Sequence, residues 1–600
     1  MFNQLRAKVA SVVMIFAISV LGLSAQNKPI SGTVTDASGV PVIGAAVYVV
    51  GNVSSGVMTD EEGRYNLQAP QNSTIAVSCI GYATATVQIG AESVYNVVLQ
   101  EDTQLLEETV VVGYGVQKKS DLTGSVASVR EDDLKNRSTS DAAAALQGKA
   151  AGVQILNTSG APGSGASIRV RGYSSNSGNI GPLLIVDGLK VDNIQYLDPS
   201  MIESMEVLKD GASAAIYGAE AGNGVVLITT KTGDAGNASI TYEGKFTLQS
   251  LGKQAELFDG PGYVEYQKAI GNINDELLAA NGYKPGMSYN WFDAVFAPSW
   301  ANQHGITVQG GNNRGHYLAS LNFLDNDGIV KGKNDVYKRL SAQINSDYKV
   351  FDWFTVGSTT SFEKYYRRSV SSASYGSMLN SVMSLDPLTP AYYSTIEECA
   401  TAMQQHYQMG DPVLRDPNHN NDFYATSKYL EEATGNPLIQ RDRTDSHSEG
   451  INIRGSFYAN LTPIKGVTVT SRFGYRIAQS SSHSYSAPYW ATGMANSNQY
   501  SISAGVNTSY YYQWENFANY NRRFGKHDVT AMIGMSYIEN NSDSASISSQ
   551  GEDILSSYEP QYRYINYLKD DAVKTVSNAP GKSASLSYFG RLVSIRRSTY

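Results

Sequence analysis

The chain has 600 residues, with 17% charged and 10% aromatic side chains, 55 Gly, 40 Tyr and a formal net charge of −9. That length calls for several domains, and the acidic balance excludes nucleic acid as a partner, which would require a basic face. Two distant cysteines, Cys79 and Cys399, exclude a disulfide framework, and a single bridge between them is not expected.

The first 25 residues have the form of a secretory signal peptide. Arg6 and Lys8 precede an apolar run from Val9 to Leu23, and Ser24 and Ala25 supply small residues at the cut. No Cys follows the run, so a lipid-anchored mature N-terminus is not expected. No other apolar run reaches eighteen residues. A mature chain of this kind is either soluble or a β-barrel, because only helices and closed barrels satisfy their backbone in lipid.

Residues 27–100 read as a small β-sandwich. Alternating runs at Gly32–Asp36, Ala45–Val49, Thr74–Ser78 and Tyr95–Leu99 are separated by turn clusters at Asp36–Gly39 and Asp60–Gly63. The pieces GTVTDASGVPVIGAAVYVVG, TDEEGRYNL and CIGY resemble the carboxypeptidase-regulatory-like domain; a generic exported sandwich is the other reading. Either is a binding or spacer module.

Residues 107–115 follow, with Val110, Val111 and Val112 behind Glu107, Glu108 and Thr109, ending at Gly-Tyr-Gly. An exposed strand-former of this kind invites a partner strand through its backbone. Position and sequence resemble a TonB box; the alternative is the first strand of the next domain. That domain, residues 116–233, reads as a compact α/β plug. Ser138–Gly148 should form a short helix, closed by Gly. Ile168–Gly172 alternates with period two, which places Arg169 and Arg171 on one strand face. Two guanidinium groups there either meet carboxylates, obligatory if buried, or form a solvent-facing basic edge. Ser204–Lys209 continues as a strand, Ala212–Tyr217 as a helical turn before Gly218, and Gly224–Thr230 as a buried strand.

Within it, IVDG and IESMEVLKDGASAAIYGAEAGNGVVLITTKTG, from the stretch Leu183 to Gly233, resemble the plug signature of the SusC/RagA-type TonB-linked outer-membrane receptors. The resemblance runs in family order over about the first 233 residues. Its signature positions here are Asp187, Gly188, Glu203, Glu206, Lys209, Asp210, Tyr217 and Gly218.

From residue 238 to 600 the pattern becomes that of a transmembrane barrel. In Ala238–Gln249, Ile240, Tyr242, Phe246 and Leu248 share one face, and Thr241, Glu243, Lys245 and Gln249 the other. The pattern recurs at Tyr317–Phe323, Leu340–Tyr348, Phe354–Phe362, Ile451–Leu461, Val467–Ile477, Val529–Ile538 and Ser583–Leu592. Alternation over about ten residues is the membrane-strand signal. A soluble sandwich also alternates, but the preceding export signal and plug favour the barrel. The polar stretches 370–450 and 478–510 fit external loops.

No catalytic constellation is present: the seven His are scattered, and Gly581–Ser583 lacks the leading Gly of a phosphate loop, Val576 standing in its place. Asp416–Asp422 and Asp60–Gly63 carry oxygen ligands fit for a structural Ca2+, but they lack EF-hand spacing and read better as solvated loops. The chain is therefore read as β-rich, multidomain and non-enzymatic, with no cofactor and no resident metal.

The family resemblance implies a 22-strand antiparallel barrel in the outer membrane that imports oligosaccharides or peptides. It implies TonB, with ExbB and ExbD, as energy source and a SusD-like surface lipoprotein as lid. On that implication Glu108, Thr109, Val110, Val111 and Val112 contact TonB, and Arg169 and Arg171 lock the plug to wall carboxylates. A surface adhesin or ligand-binding module without transport is the alternative. Since 22 strands need more chain than follows Gly233, the barrel portion is expected to be partial.

Overall fold

The computed structural model describes residues 27–596 apart from residues 51, 71–72, 80–81, 91, 101–108, 113, 119–124, 136–138, 158, 173–179, 235, 371–377, 431–434 and 526. The signal-peptide segment, Glu108 and the start of the helix expected from Ser138 lie outside the described residues. The chain divides into two compact units between Glu108 and Thr109.

The first unit is a two-sheet sandwich. Its strands are β1 (Asn27–Asp36), β2 (Ala46–Val49), β3 (Asn52–Met58), β4 (Arg64–Pro70), β5 (Thr74–Ser78), β6 (Ala85–Gln88) and β7 (Val97–Leu99). They form one sheet in the order β4-β1-β7 and another in the order β3-β2-β5-β6. Alternate residues point inward, and Ile30, Val34, Val47, Leu67, Ile75, Val77 and Leu99 make the core. The acidic turn clusters act as Asx turns: Asp36 accepts from the N–H groups of Ser38 and Val40, both at 2.8 Å, and Asp60 from those of Glu62 (3.1 Å) and Arg64 (2.7 Å). Cys79 and Cys399 are both free thiols.

The second unit begins with a two-stranded hairpin, β8 (Thr109–Val112) and β9 (Gly115–Lys118), which pairs with no other sheet among the described residues. The plug follows. Strands β10 (Val126–Arg130), β13 (Leu183–Val186), β14 (Leu189–Val191), β15 (Ile202–Leu208) and β16 (Val225–Thr230) form a mixed sheet ordered β10-β15-β16-β13-β14. A separate hairpin joins β11 (Val153–Leu156) to β12 (Ser167–Val170). Val129, Leu146, Ile155, Ile168, Val186, Ile202, Met205, Val207, Val226 and Ile228 are buried between them. The expected helix contracts to Ala142–Ala145, because Asp141 caps it by accepting from Ala143 N–H at 2.8 Å.

Ten long antiparallel strands form the wall: β17 (Gly236–Gln249), β18 (Ser299–Asn312), β19 (Gly315–Asp327), β20 (Val336–Phe351), β21 (Phe354–Arg368), β25 (Thr444–Leu461), β26 (Val467–Ser486), β29 (Tyr500–Phe524), β30 (His527–Gly551) and β31 (Lys574–Arg596). Short strands sit in the connections: β22 (Tyr392–Tyr393), β23 (Arg415–Asp416) and β24 (Asp422–Tyr424), then β27 (Tyr489–Trp490) and β28 (Asn496–Ser497). Each wall strand pairs with its sequence neighbour in the wall, and among the described residues β17 and β31 are the two edges of an unclosed sheet. Tight turns join β18 to β19, β20 to β21 and β29 to β30 at one rim, while the long connections 250–298 and 369–443 lie at the other. The long connections have cores of their own, for instance Trp291, Val295, Met378, Val382, Leu438 and Ile439.

The wall is inside-out. Ile240, Phe246, Ile306, Leu321, Phe323, Ile344, Phe457 and Leu592 lie exposed on its outer face. Gln303, Ser320, Asn322, Gln343, Asn345, Glu363, Gln513 and Glu515 are buried on its inner face. That is the arrangement a lipid-facing barrel requires.

The structure shifts two sequence expectations. Strands β18 and β29 are additional, and the loop expected over 478–510 shrinks to 487–499, because β26 runs on to Ser486 and β29 starts at Tyr500. With 20 and 25 residues they exceed the ~9–11 that cross a bilayer. Above the lipid neither face need be apolar, so Gln479–Ser486 carries no alternation although it pairs in full with β29.

Leu321 is the midpoint of β19 and faces outward. The substitution Leu321→Arg should cost about 2–4 kcal/mol of barrel stability in phosphatidylcholine bilayers. Urea titration of the reconstituted full-length protein reads this directly; an unchanged midpoint would place the residue away from lipid.

Candidate functional site: the plug and its seat on the wall

The hairpin β13–β14 turns through two residues, Asp187 (φ 49°) and Gly188 (φ 81°), between the pair Val186 and Leu189. Two successive positive φ values define a type I′ turn, for which Asp-Gly is a preferred sequence. The Asp187 carboxylate accepts from Thr230 N–H at 2.9 Å and Thr230 Oγ1 at 2.7 Å, tying the turn to β16. Burial pushes the Asp187 carboxyl up, while these bonds and the Arg472 charge pull it back.

This turn seats on the wall. Gln513 Nε2 donates to Gly188 O at 2.9 Å, and Lys190 N–H donates to Gln513 Oε1 at 3.2 Å, so one side-chain amide caps the edge strand β14. Arg472 lies so close that a Cβ on Gly188 would stand 1.9 Å from its Nη1. Around the same seat Arg476 pairs with Asp192, and Arg339 donates to Gln195 O. Arg454 lies 3.7 Å over the Tyr196 ring and 3.2 Å from Glu363. Gln303 donates to Asp198, and Asn345 Nδ2 donates to Thr230 Oγ1 and Lys231 O, both at 2.7 Å. Hydrogen bonds, ion pairs and a cation–ring contact thus hold the plug to the wall, and Tyr511 of β29 also packs into the plug's apolar core.

The remaining signature residues shape the plug. Asp210 caps the helix Gly211–Ala214, accepting from Ser213 N–H at 2.9 Å. Lys209 Nζ donates to Ala151 O at 3.1 Å. Gly218 (φ 68°) kinks the 3-10 helix Ala215–Asn223, and Tyr217 packs beside it. Glu203 is exposed at the start of β15. Glu206 is buried: Ser204 Oγ donates to its Oε1 at 2.7 Å, and its Oε2 has no hydrogen-bond partner among the described residues. Burial first, and the Glu203 charge next among the raising influences, push the Glu206 carboxyl up to about 7.

Arg169 is half-buried in β12 opposite Gln154. The strand ends at Val170, so Arg171 leaves the expected alternation. It takes φ 55°, lies exposed, and its N–H donates to Gly152 O at 2.9 Å. Of the wall arginines, Arg339 meets a plug carbonyl, Arg476 a plug carboxylate and Arg454 a plug ring, while Arg472 packs against Gly188. Sequence reasoning missed these residues. Their signal was the charged or amide side chain at inward positions of mid-strand, as at Arg472 and Arg476 or Gln513 and Glu515. The loop carboxylates are engaged by the protein: Asp416 accepts from Tyr392 OH at 2.7 Å and Asn418 N–H at 2.8 Å, and Asp422 lies 2.9 Å from His419.

Residues 118–225 match the TonB-dependent Receptor Plug Domain, and residues 30–111 match the CarboxypepD_reg-like domain. Over 532 residues the chain is 31% identical to the TonB-dependent receptor SusC of Bacteroides thetaiotaomicron, spanning 85% of this chain and 50% of that protein. The chain belongs to the SusC/RagA type of TonB-dependent receptors. It is also 29% identical to the TonB-dependent receptor P39 of Formosa agariphila, over 88% of this chain and 47% of that one. The structure of the RagAB peptide importer in the "open-open" state matches with a TM-score of 0.64 at 25% identity, covering 82% of this receptor chain and 55% of that chain. The receptor chain spans about half the length of the curated relatives it matches.

Two outcomes follow from the seat. Gly188→Ala places a methyl group on the Arg472 guanidinium and strains a positive φ, so it should lower the stability of the plug by about 1–3 kcal/mol, read as a lower urea midpoint for plug-specific fluorescence. The raised Glu206 carboxyl binds its proton more tightly folded than unfolded. Its contribution is therefore fully present below about pH 4.5 and is lost as pH rises to about 7. Glu206→Gln should flatten that decline, on the order of 3 kcal/mol, in melts between pH 4.5 and 7.5.

Proposed function

We propose that the full-length protein imports a nutrient across the outer membrane, driven by TonB with ExbB and ExbD. One observation carries this reading: a folded plug with an apolar core is hydrogen-bonded to the barrel wall at its Asp187–Gly188 turn. Each such bond contributes about 0.5–1.5 kcal/mol net. A pull of modest work can therefore separate plug from wall while the plug core survives.

Glu108 to Val112 are the segment that recruits TonB. The backbone of Thr109–Val112 is already extended as β8, paired with β9 on one edge and with nothing on the other among the described residues. A partner strand added to that open edge needs only main-chain hydrogen bonds. On this reading the free energy comes from the inner-membrane proton gradient. Arg169 and Arg171 lock the plug to carboxylates of the complete barrel.

The cargo is an oligosaccharide or a peptide, delivered under a SusD-like surface lipoprotein that closes the barrel mouth. The likeness to the RagAB peptide importer supports a peptide; the identity to SusC supports the receptor type. The signal-peptide form of the first 25 residues and the lipid-compatible outer face of the wall support the outer membrane as its location.

Deleting residues 108–112 in the full-length protein should reduce uptake of fluorescent peptides and oligosaccharides to the level of a strain lacking the gene. Binding of the same probes at the cell surface should persist. Uptake at wild-type rate would instead favour a surface adhesin.

A further inference from the structure

The pairing of β8 with β9 closes at Val112 and Gly115, and Tyr114 at that end is inserted into the wall. Its hydroxyl donates to Glu515 Oε1 at 2.7 Å, and Asn519 Nδ2 donates to Tyr114 O at 3.1 Å. Its ring stacks on Phe589 at 4.4 Å and 16°, meets Phe517 edge-on at 5.1 Å, and lies 5.7 Å from Tyr217 of the plug. Phe517, Asn519 and Glu515 come from β29 and Phe589 from β31, so a single side chain joins two wall strands to the plug.

The partner carboxylate is itself committed. Glu515 is 2% exposed, accepts from Ser536 Oγ at 3.4 Å, and lies 3.6 Å from Arg472. Arg472 is the guanidinium packed against Gly188 at the plug turn. Contacts therefore run without a gap from the hairpin tip through Tyr114, Glu515 and Arg472 to the seat of β13–β14. The path consists of direct contacts, each residue within hydrogen-bond or ion-pair range of the next or packed against it.

We propose that Tyr114 and Glu515 form a latch that keeps the hairpin β8–β9 docked on the wall and couples its release to the Asp187–Gly188 seat. The functional side of this inference rests on the import reading above; the latch itself does not. Withdrawing Tyr114 removes the shortest of these bonds from a buried carboxylate and leaves Glu515 to Ser536 and Arg472. A buried carboxylate that loses a hydrogen bond costs more than the bond contributed. The strained partner is then the same guanidinium that supports the plug turn, so undocking the hairpin loosens the seat. Burial first, and then the Glu515 carboxylate, push the Tyr114 hydroxyl above its ordinary range, so it stays a donor at every physiological pH. Tyr114 and Glu515 are positioning residues on this account: neither touches cargo.

The test is amide hydrogen exchange on the purified full-length protein in detergent, without TonB, comparing wild type with Tyr114→Phe, Glu515→Gln and the double variant. Phe keeps the ring contacts and removes only the hydroxyl. Exchange of residues 109–118 should quicken about tenfold in Tyr114→Phe and less in Glu515→Gln, because a neutral amide still accepts a weaker bond. The double variant should match Tyr114→Phe, and exchange at residues 183–191 should quicken with it while that at 202–208 stays unchanged. Exchange of 109–118 in Tyr114→Phe within twofold of wild type would overturn the latch. So would a double variant in which the two effects multiply. Because no TonB is present, failure here leaves the import reading to its own uptake experiment. Wild-type uptake after deletion of residues 108–112, with the latch intact, would count against import alone.

Discussion

The structure depends on one constraint: a sheet whose outer face meets lipid must leave every polar group it owns on the inside or in its strand ladder. The eight inner wall strands satisfy their backbone by pairing on both sides, and the edge strands β17 and β31 by pairing on one. Their outer positions carry Ile240, Leu321, Phe457 and Leu592, and their inner positions carry Gln303, Asn345, Glu363, Gln513 and Glu515. Buried amides and carboxylates on the inner face cannot be left without partners. The plug supplies many of those partners: the Gly188, Gln195 and Lys231 carbonyls, the Lys190 N–H, and the Asp192 and Asp198 carboxylates.

The same constraint explains why the plug has two kinds of surface. Its interior is closed by Met205, Val207, Val226 and Ile228, with Tyr511 of the wall packed among the same apolar side chains. Its seat is closed by exchangeable bonds, each worth about 0.5–1.5 kcal/mol net. A gate must open at less cost than it unfolds, and dividing apolar from polar contacts in this way meets that condition. The Asp187–Gly188 turn sits at the division. Its carboxylate faces back to Thr230 in the plug, and its carbonyl faces out to Gln513 in the wall.

Much of this was legible in the sequence. The sandwich strands, the plug strands at 204–209 and 224–230 and eight of the wall strands follow from alternation and turn residues. The plug signature gave the family directly, because Asp187, Gly188, Asp210 and Gly218 are turn and cap residues whose chemistry is local. Strands β18 and β29 were less visible. Trp300 to Val308 alternates against Gln303, Gly305 and Thr307 with little amplitude, and Val506 to Trp514 is crowded with Tyr on both faces. The seat was not legible, because it joins residues some three hundred positions apart. Gln513 and Lys190 show no sign of one another until the fold brings them to 3.2 Å. Tyr114 was legible as the end of a strand-former, but not as an anchor, since Glu515 and Phe589 lie four hundred residues away.

The central claim is that the plug leaves its seat without losing its core. The amide of Lys190 reports the seat, because it donates to a wall side chain; those of Val207 and Val226 report the core sheet, where β15 pairs with β16. Hydrogen exchange of the full-length protein in sub-denaturing urea separates the two. The account predicts that Lys190 exchanges through a low-energy opening well before Val207 and Val226. Exchange of all three in one cooperative step would contradict it, because the seat would then be no weaker than the fold it holds.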